Sequence, residues 1–147
     1  MIIKEELPNG LTLLTEEMPH VRSVAVGVWL KRGSRHETLA QTGISHFIEH
    51  MVFKGTKTRK PGEFDRVMEA SGGSNNASTS SDVTIYQDWF PASTLELIFD
   101  LESDRMRNLD FEPQAVESER GVVYSEDRKS TRLNSSHATL SRMPSSA

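Results

Sequence analysis

The sequence contains no cysteine. That absence excludes disulfides, thiolate nucleophiles and cysteine-bound zinc, and leaves histidine and carboxylate as the side chains able to hold such a metal. Long apolar runs are lacking too. No stretch approaches the roughly 20 residues a membrane helix needs, and the N-terminus, Met1-Ile2-Ile3-Lys4-Glu5-Glu6, is too charged for a secretory core. The expectation is a soluble chain with no membrane partner and a cytoplasmic location. Positive charge is in short supply: 17 Lys and Arg face 21 Asp and Glu, a net charge of −4, and the basic residues are scattered. No phosphate-tracking surface follows from that pattern, so nucleic acid is not an expected partner. What is present, 35% hydrophobic residues over 147 positions, suffices for one domain with its own core.

Low complexity is confined to the end. From Asp127 the sequence reads DRKSTRLNSSH, then Ala138 to Leu140, then SRMPSSA, and both stretches resemble the in-frame translation of a short-read sequencing adapter split by its index. Residues 127–147 are therefore expected to be an artefactual or disordered tail without function, with the parent chain continuing differently. On that reading residue 126 is Glu or Asp in the parent gene. Without the tail's four basic residues and one acidic residue the balance becomes 13 against 20, or −7.

Ahead of the tail the punctuation is clear. Ile2 to Glu6 and Leu11 to Glu16 flank Pro8-Asn9-Gly10, where Asn-Gly supplies the positive φ of a tight hairpin. Val24, Val26, Val28 and Leu30 alternate with Ala25, Gly27 and Trp29, apolar on both sides, which predicts a central strand over 21–30. A helix is expected over about 43–54, and a second from Pro61 to the stop at Gly72-Gly73. Residues 74–79 and 84–90 read as strands around Ser81-Asp82. Ser93 with Glu96 forms a capping-box pattern opening a helix to about Asn108, and a last helix starts near Glu112 and Pro113. The fold class expected is an α/β two-layer sandwich, a mixed, largely antiparallel sheet with helices packed on it, truncated.

At about 100° per residue, Ile44, Phe47, Ile48, Met51 and Val52 form one apolar stripe, and His46, Glu49, His50 and Phe53 fall on the other side. His46 and His50, one turn apart, can bring a ring nitrogen each to a single ion, with Glu49 beside them but free of it. The pattern is H-x-x-E-H, the inverzincin motif; a plain wetted helix face is the alternative. On the last helix Val116, Val122 and Val123 mark the apolar side, and Glu119 and Glu126 lie within it, whereas Glu117 projects to solvent. Buried carboxylates call for a cation, and either a metal or a nearby base such as Arg120 satisfies that demand.

HFIEHMVFKGT at 46–56, NNASTSSDVTIY at 75–86 and ESERGVVYSE at 117–126 resemble the pitrilysin, or insulinase, peptidase family, which includes the mitochondrial processing peptidases. The resemblance spans the chain before the tail and implies a processing-peptidase-like metallohydrolase fold, with 1–126 its N-terminal zinc-binding domain, incomplete at its C-terminal side. It implies one Zn²⁺ per chain held by His46, His50 and Glu126, with Glu119 supporting a ligand. Glu49 is implied as general base toward a metal-activated water in peptide-bond hydrolysis. Asn76, Ala77, Ser78 and Thr79 are implied as an edge strand where an extended peptide pairs, Asn76 offering its amide. A peptide or protein substrate is the expected partner, together with a missing homologous C-terminal half or partner subunit, and oligomers are possible. The fragment alone is expected to have little activity. A non-catalytic binding or assembly subunit with the same fold is the alternative.

Overall fold

The computed structural model describes the backbone of residues 1–140 and the side chains of residues 1–126. Strands β1 (Ile2–Glu6) and β2 (Thr12–Glu16) form a two-stranded antiparallel hairpin in which Ile2 pairs with Glu16 and Glu6 with Thr12. Only Gly10 takes a left-handed φ there, at 83°, so Asn9 does not adopt the positive angle expected of it. Asn9 instead accepts the Leu11 N–H through its side chain at 3.1 Å, the local bond that suits Asn to turns.

A second antiparallel sheet has the order β3-β5-β4, from β3 (Ser23–Leu30), β4 (Ser74–Thr79) and β5 (Thr84–Pro91). Val24 pairs with Phe90 and Val28 with Tyr86, while Ala77 meets Tyr86 from the other side. Among the described residues β5 is thus the central strand and β3 an edge, which corrects the expectation for β3. The misleading signal was the apolar character of both its faces. Val24, Val26 and Val28 do turn inward, but Ala25, Gly27 and Trp29 are exposed, and the Trp29 indole folds back over Gly27.

Helices α1 (Ile44–Met51), α2 (Glu63–Ala70) and α3 (Leu95–Arg107) follow the expected places, and α4 runs over Pro113–Leu140. Phe64 and Met68 of α2, Ile98 and Leu101 of α3 and Phe90 of β5 form the buried core, with Val24, Val26 and Phe53 packed against it. Each of the five buried side chains contributes roughly 1.5–3 kcal/mol by leaving water. Helices on one side of an antiparallel sheet make the two-layer α/β arrangement the sequence pattern implied.

The starts of the helices depart from the sequence reading. Neither Ser93 nor Glu96 caps α3: the chain leaves Pro91 through a 3-10 turn (Ala92–Thr94), and the Thr94 hydroxyl bonds the Pro91 carbonyl at 2.8 Å. Helix α1 begins after Gly43, whose lack of a side chain leaves the helix head to a distant residue. Glu37 accepts the Gly43 N–H at 2.7 Å and the Ser45 N–H at 2.8 Å. Of the expected apolar stripe, Met51 and Val52 are buried while Ile44 and Ile48 are exposed, because helical periodicity marks an apolar face without saying how much of it is covered. Among the described residues no helix is long and apolar enough to cross a membrane. Of the expected tail, residues 127–140 continue the backbone of α4, and residues 141–147 lie outside the described residues.

Candidate metal centre

Helix α1 packs against α4, and this contact assembles the site. His46 and His50 sit one turn apart with ring centroids 4.7 Å apart and planes at 86°. Their Nε2 atoms are 3.1 Å apart, and Glu126 Oε2 lies 3.7 Å from His46 Nε2 and 3.5 Å from His50 Nε2. Three donor atoms each about 2.05 Å from a tetrahedral zinc stand roughly 3.3 Å from one another. The observed separations bracket that value, so the donor set fits such an ion in type and spacing.

Glu119 explains why the imidazole of His50 presents Nε2. Its Oε1 lies 2.7 Å from His50 Nδ1, and the carboxylate is a hydrogen-bond acceptor, so the ring proton sits on Nδ1 and the Nε2 lone pair faces the other donors. The second oxygen of Glu119 takes the Lys54 ammonium at 2.7 Å. Burial would raise the pKa of this carboxyl, but the bonds from Lys54 and His50 outweigh it and hold Glu119 below the ordinary carboxylate value.

Both α4 carboxylates were expected to point inward. Glu119 does, at 4% exposure, whereas the Glu126 side chain is 47% exposed at the rim. The cation that accompanies the buried acid is Lys54, a residue the sequence reading passed over. The available signal was its position, four residues beyond His50 on the stride that links His46 to His50.

Glu49 stands beside this group without belonging to it, its Oε2 accepting the Thr79 hydroxyl. An open cleft of about 320 Å³ is lined by Glu49, His50, Phe53 and Lys54 from α1 and the segment after it, Asn75, Asn76 and Ala77 from β4, and Glu119. β4 is the sheet edge nearest α1. Asn76 and Ala77 reach the cleft wall, Thr79 reaches Glu49, and Ser78 is exposed beyond them. Of the residues singled out in the sequence, His46, His50 and Glu126 therefore come together, with Glu119 behind and Glu49 and Thr79 alongside.

The frame is thus a two-layer α/β one that carries H-x-x-E-H on one helix and a distant glutamate on another. The chain belongs to the insulinase family, peptidase family M16, whose profile matches residues 12–146. It is 40% identical over 126 residues to the uncharacterized zinc protease YmxG of Bacillus subtilis, covering 86% of this chain and 31% of that protein. It is 39% identical over 120 residues to the beta subunit of the mitochondrial-processing peptidase of Blastocladiella emersonii, covering 82% and 26%. The crystal structure of a protease from Helicobacter pylori superposes with a TM-score of 0.83 at 35% identity, over 87% of this chain and 31% of that one. The chain thus spans about a third or less of the length of these relatives.

Proposed function

We propose that this chain supplies the zinc-binding and proton-transferring half of an endopeptidase centre, with His46, His50 and Glu126 as metal ligands and Glu49 as general base. The observation that carries the reading is the convergence of His46 Nε2, His50 Nε2 and Glu126 Oε2, all within 4.8 Å of one another, beside a carboxylate outside that set. Zinc held by His46, His50 and Glu126 would keep a net positive charge and would supply polarisation of a carbonyl and acidification of water.

The chain's own residues supply the rest. Glu49 takes the proton of the attacking water and returns it to the departing amine, acid and base in one carboxylate. Glu119 fixes the His50 tautomer, and Lys54 keeps Glu119 ionised in its buried place. The edge of β4 at Asn76–Thr79, unpaired among the described residues, accepts an extended peptide as an added strand, with the Asn76 amide toward its backbone. The cleft is open on one side, and the relatives run well beyond the matched region. This reading therefore includes a second body, from the same polypeptide or a partner subunit, that closes over the peptide.

The test is Glu49→Gln in the zinc-loaded full-length protein. Hydrolysis of an unstructured peptide falls at least about 100-fold while bound zinc stays at the wild-type level. Loss of zinc in that variant, or undiminished hydrolysis, contradicts the role given to Glu49.

A further inference from the structure

We infer that Thr79 is a positioning residue for Glu49, tying the aim of the general base to the strand on which the peptide docks; this rests on the base role proposed above. A glutamate has three side-chain torsions, and one at a cleft wall spends most of its time misaimed unless something holds it. Thr79 is that hold. Its hydroxyl donates to Glu49 Oε2. Threonine is branched at Cβ and stiff at χ1, so its hydroxyl direction follows the backbone of β4 closely.

That backbone is itself clamped. Thr79 is paired with Thr84 across the sheet, and the two hydroxyl oxygens lie 3.4 Å apart. Thr84 is buried, and its own proton is committed to the Arg32 carbonyl at 3.0 Å. Thr84 thus has no proton to give Thr79, and the single Thr79 proton goes to the nearer of its two acceptors, the Glu49 carboxylate rather than the Thr84 hydroxyl. The turn that follows β4 closes through Ser80 N–H to the Val83 carbonyl at 2.9 Å. The segment after β3 grips it from outside, Ser34 N–H donating to the Ser80 carbonyl at 3.1 Å and Arg35 N–H to the Ser81 carbonyl at 2.9 Å. Gly33 makes that grip possible: a Cβ there would lie 2.2 Å from the Ser80 carbonyl oxygen. From β3 through the turn to Thr79 the chain is held at every step, and the last link is the base itself.

The experiment compares Thr79→Val, Thr79→Ser and Glu49→Gln in the zinc-loaded full-length protein, reading kcat and KM on an unstructured fluorogenic peptide, and bound zinc by atomic absorption. Valine keeps the shape and suits a strand but has no proton to donate. The expected result is a kcat about 10- to 100-fold lower for Thr79→Val, with KM and zinc content unchanged, and most of the rate recovered in Thr79→Ser. An unchanged kcat in Thr79→Val, a loss of zinc, a change carried by KM, or a serine variant as impaired as the valine one overturns the inference alone. Full activity in Glu49→Gln overturns the base assignment and this inference with it.

Discussion

Arg105 is fully buried with its guanidinium 4.1 Å above the Phe64 ring centroid, and two buried carboxylates share this single cation. Glu102 pairs with Arg105 directly, and Asp88 lies 3.6 Å away. One positive charge does not sustain two negative ones out of water, so one proton stays behind. Burial pushes the Glu102 carboxyl from its ordinary 4.5 up to about 8, with Arg105 pulling it down and Asp88 adding to the rise. Because the folded form holds this proton more tightly than the unfolded chain, its contribution to stability is complete below about 4.5 and is lost as pH rises through about 8. Replacing Glu102 with Gln keeps the neutral shape at every pH. Urea unfolding at pH 5 and pH 9 is expected to show a smaller fall in stability for Glu102→Gln than for the natural chain; an equal fall shows that Glu102 does not hold the proton. The buried position of Glu119 was legible from helix spacing with Val116 and Val123, whereas its ion pair with Lys54 was not. Charge demand predicts that a partner exists, and only packing names it.

At the scale of the element, α1 shows how a short helix carrying the site is held at its head. Its eight residues open after Gly43, which has no side chain with which to cap the free N–H groups. Glu37 takes two of them, and although burial works to raise its pKa, these bonds prevail and hold it below the ordinary 4.5. The stabilisation is therefore present above about 4.5 and lost as pH falls through the lower folded value. Glu37→Ala is expected to destabilise the chain by about 1 kcal/mol at pH 7. It is also expected to weaken zinc binding, because His46 stands in the first turn of α1. Denaturant titration and chelator competition measure the two effects, and a variant unchanged in both shows the cap to be idle. Nothing in the local sequence reveals this cap: Glu37 lies six residues before Gly43, with a 3-10 turn between them. The Ser93 and Glu96 pattern before α3 matches the capping motif and caps nothing, because the turn at Pro91 displaces the helix start.

For the whole molecule, the proposed metal centre would join α1 to α4, elements whose site residues lie about 75 positions apart. An ion bound by both closes that long loop, so zinc at about 100 times its Kd is expected to add about 2.7 kcal/mol to folding stability. The measurable outcome is a higher Tm with zinc that a chelator reverses and that His50→Ala lacks; identical melting curves for the two chains in zinc contradict His50 as a ligand. Periodicity, turn residues and the H-x-x-E-H spacing were enough to place nearly every element, to put His46, Glu49 and His50 on one helix face, and to pick out Glu119 as an inward carboxylate, whereas Glu126, expected inward as well, stands half exposed at the rim. These are properties of a few residues along one element, where the backbone repeat dictates direction. The edge position of β3, the cover left off Ile44 and Ile48, and the partnerships Lys54 to Glu119, Thr79 to Glu49 and Glu37 to α1 belong to the tertiary structure alone. Each joins groups brought together by the packing of separate elements, and no local repeat records which of many compatible side chains arrives at a given place.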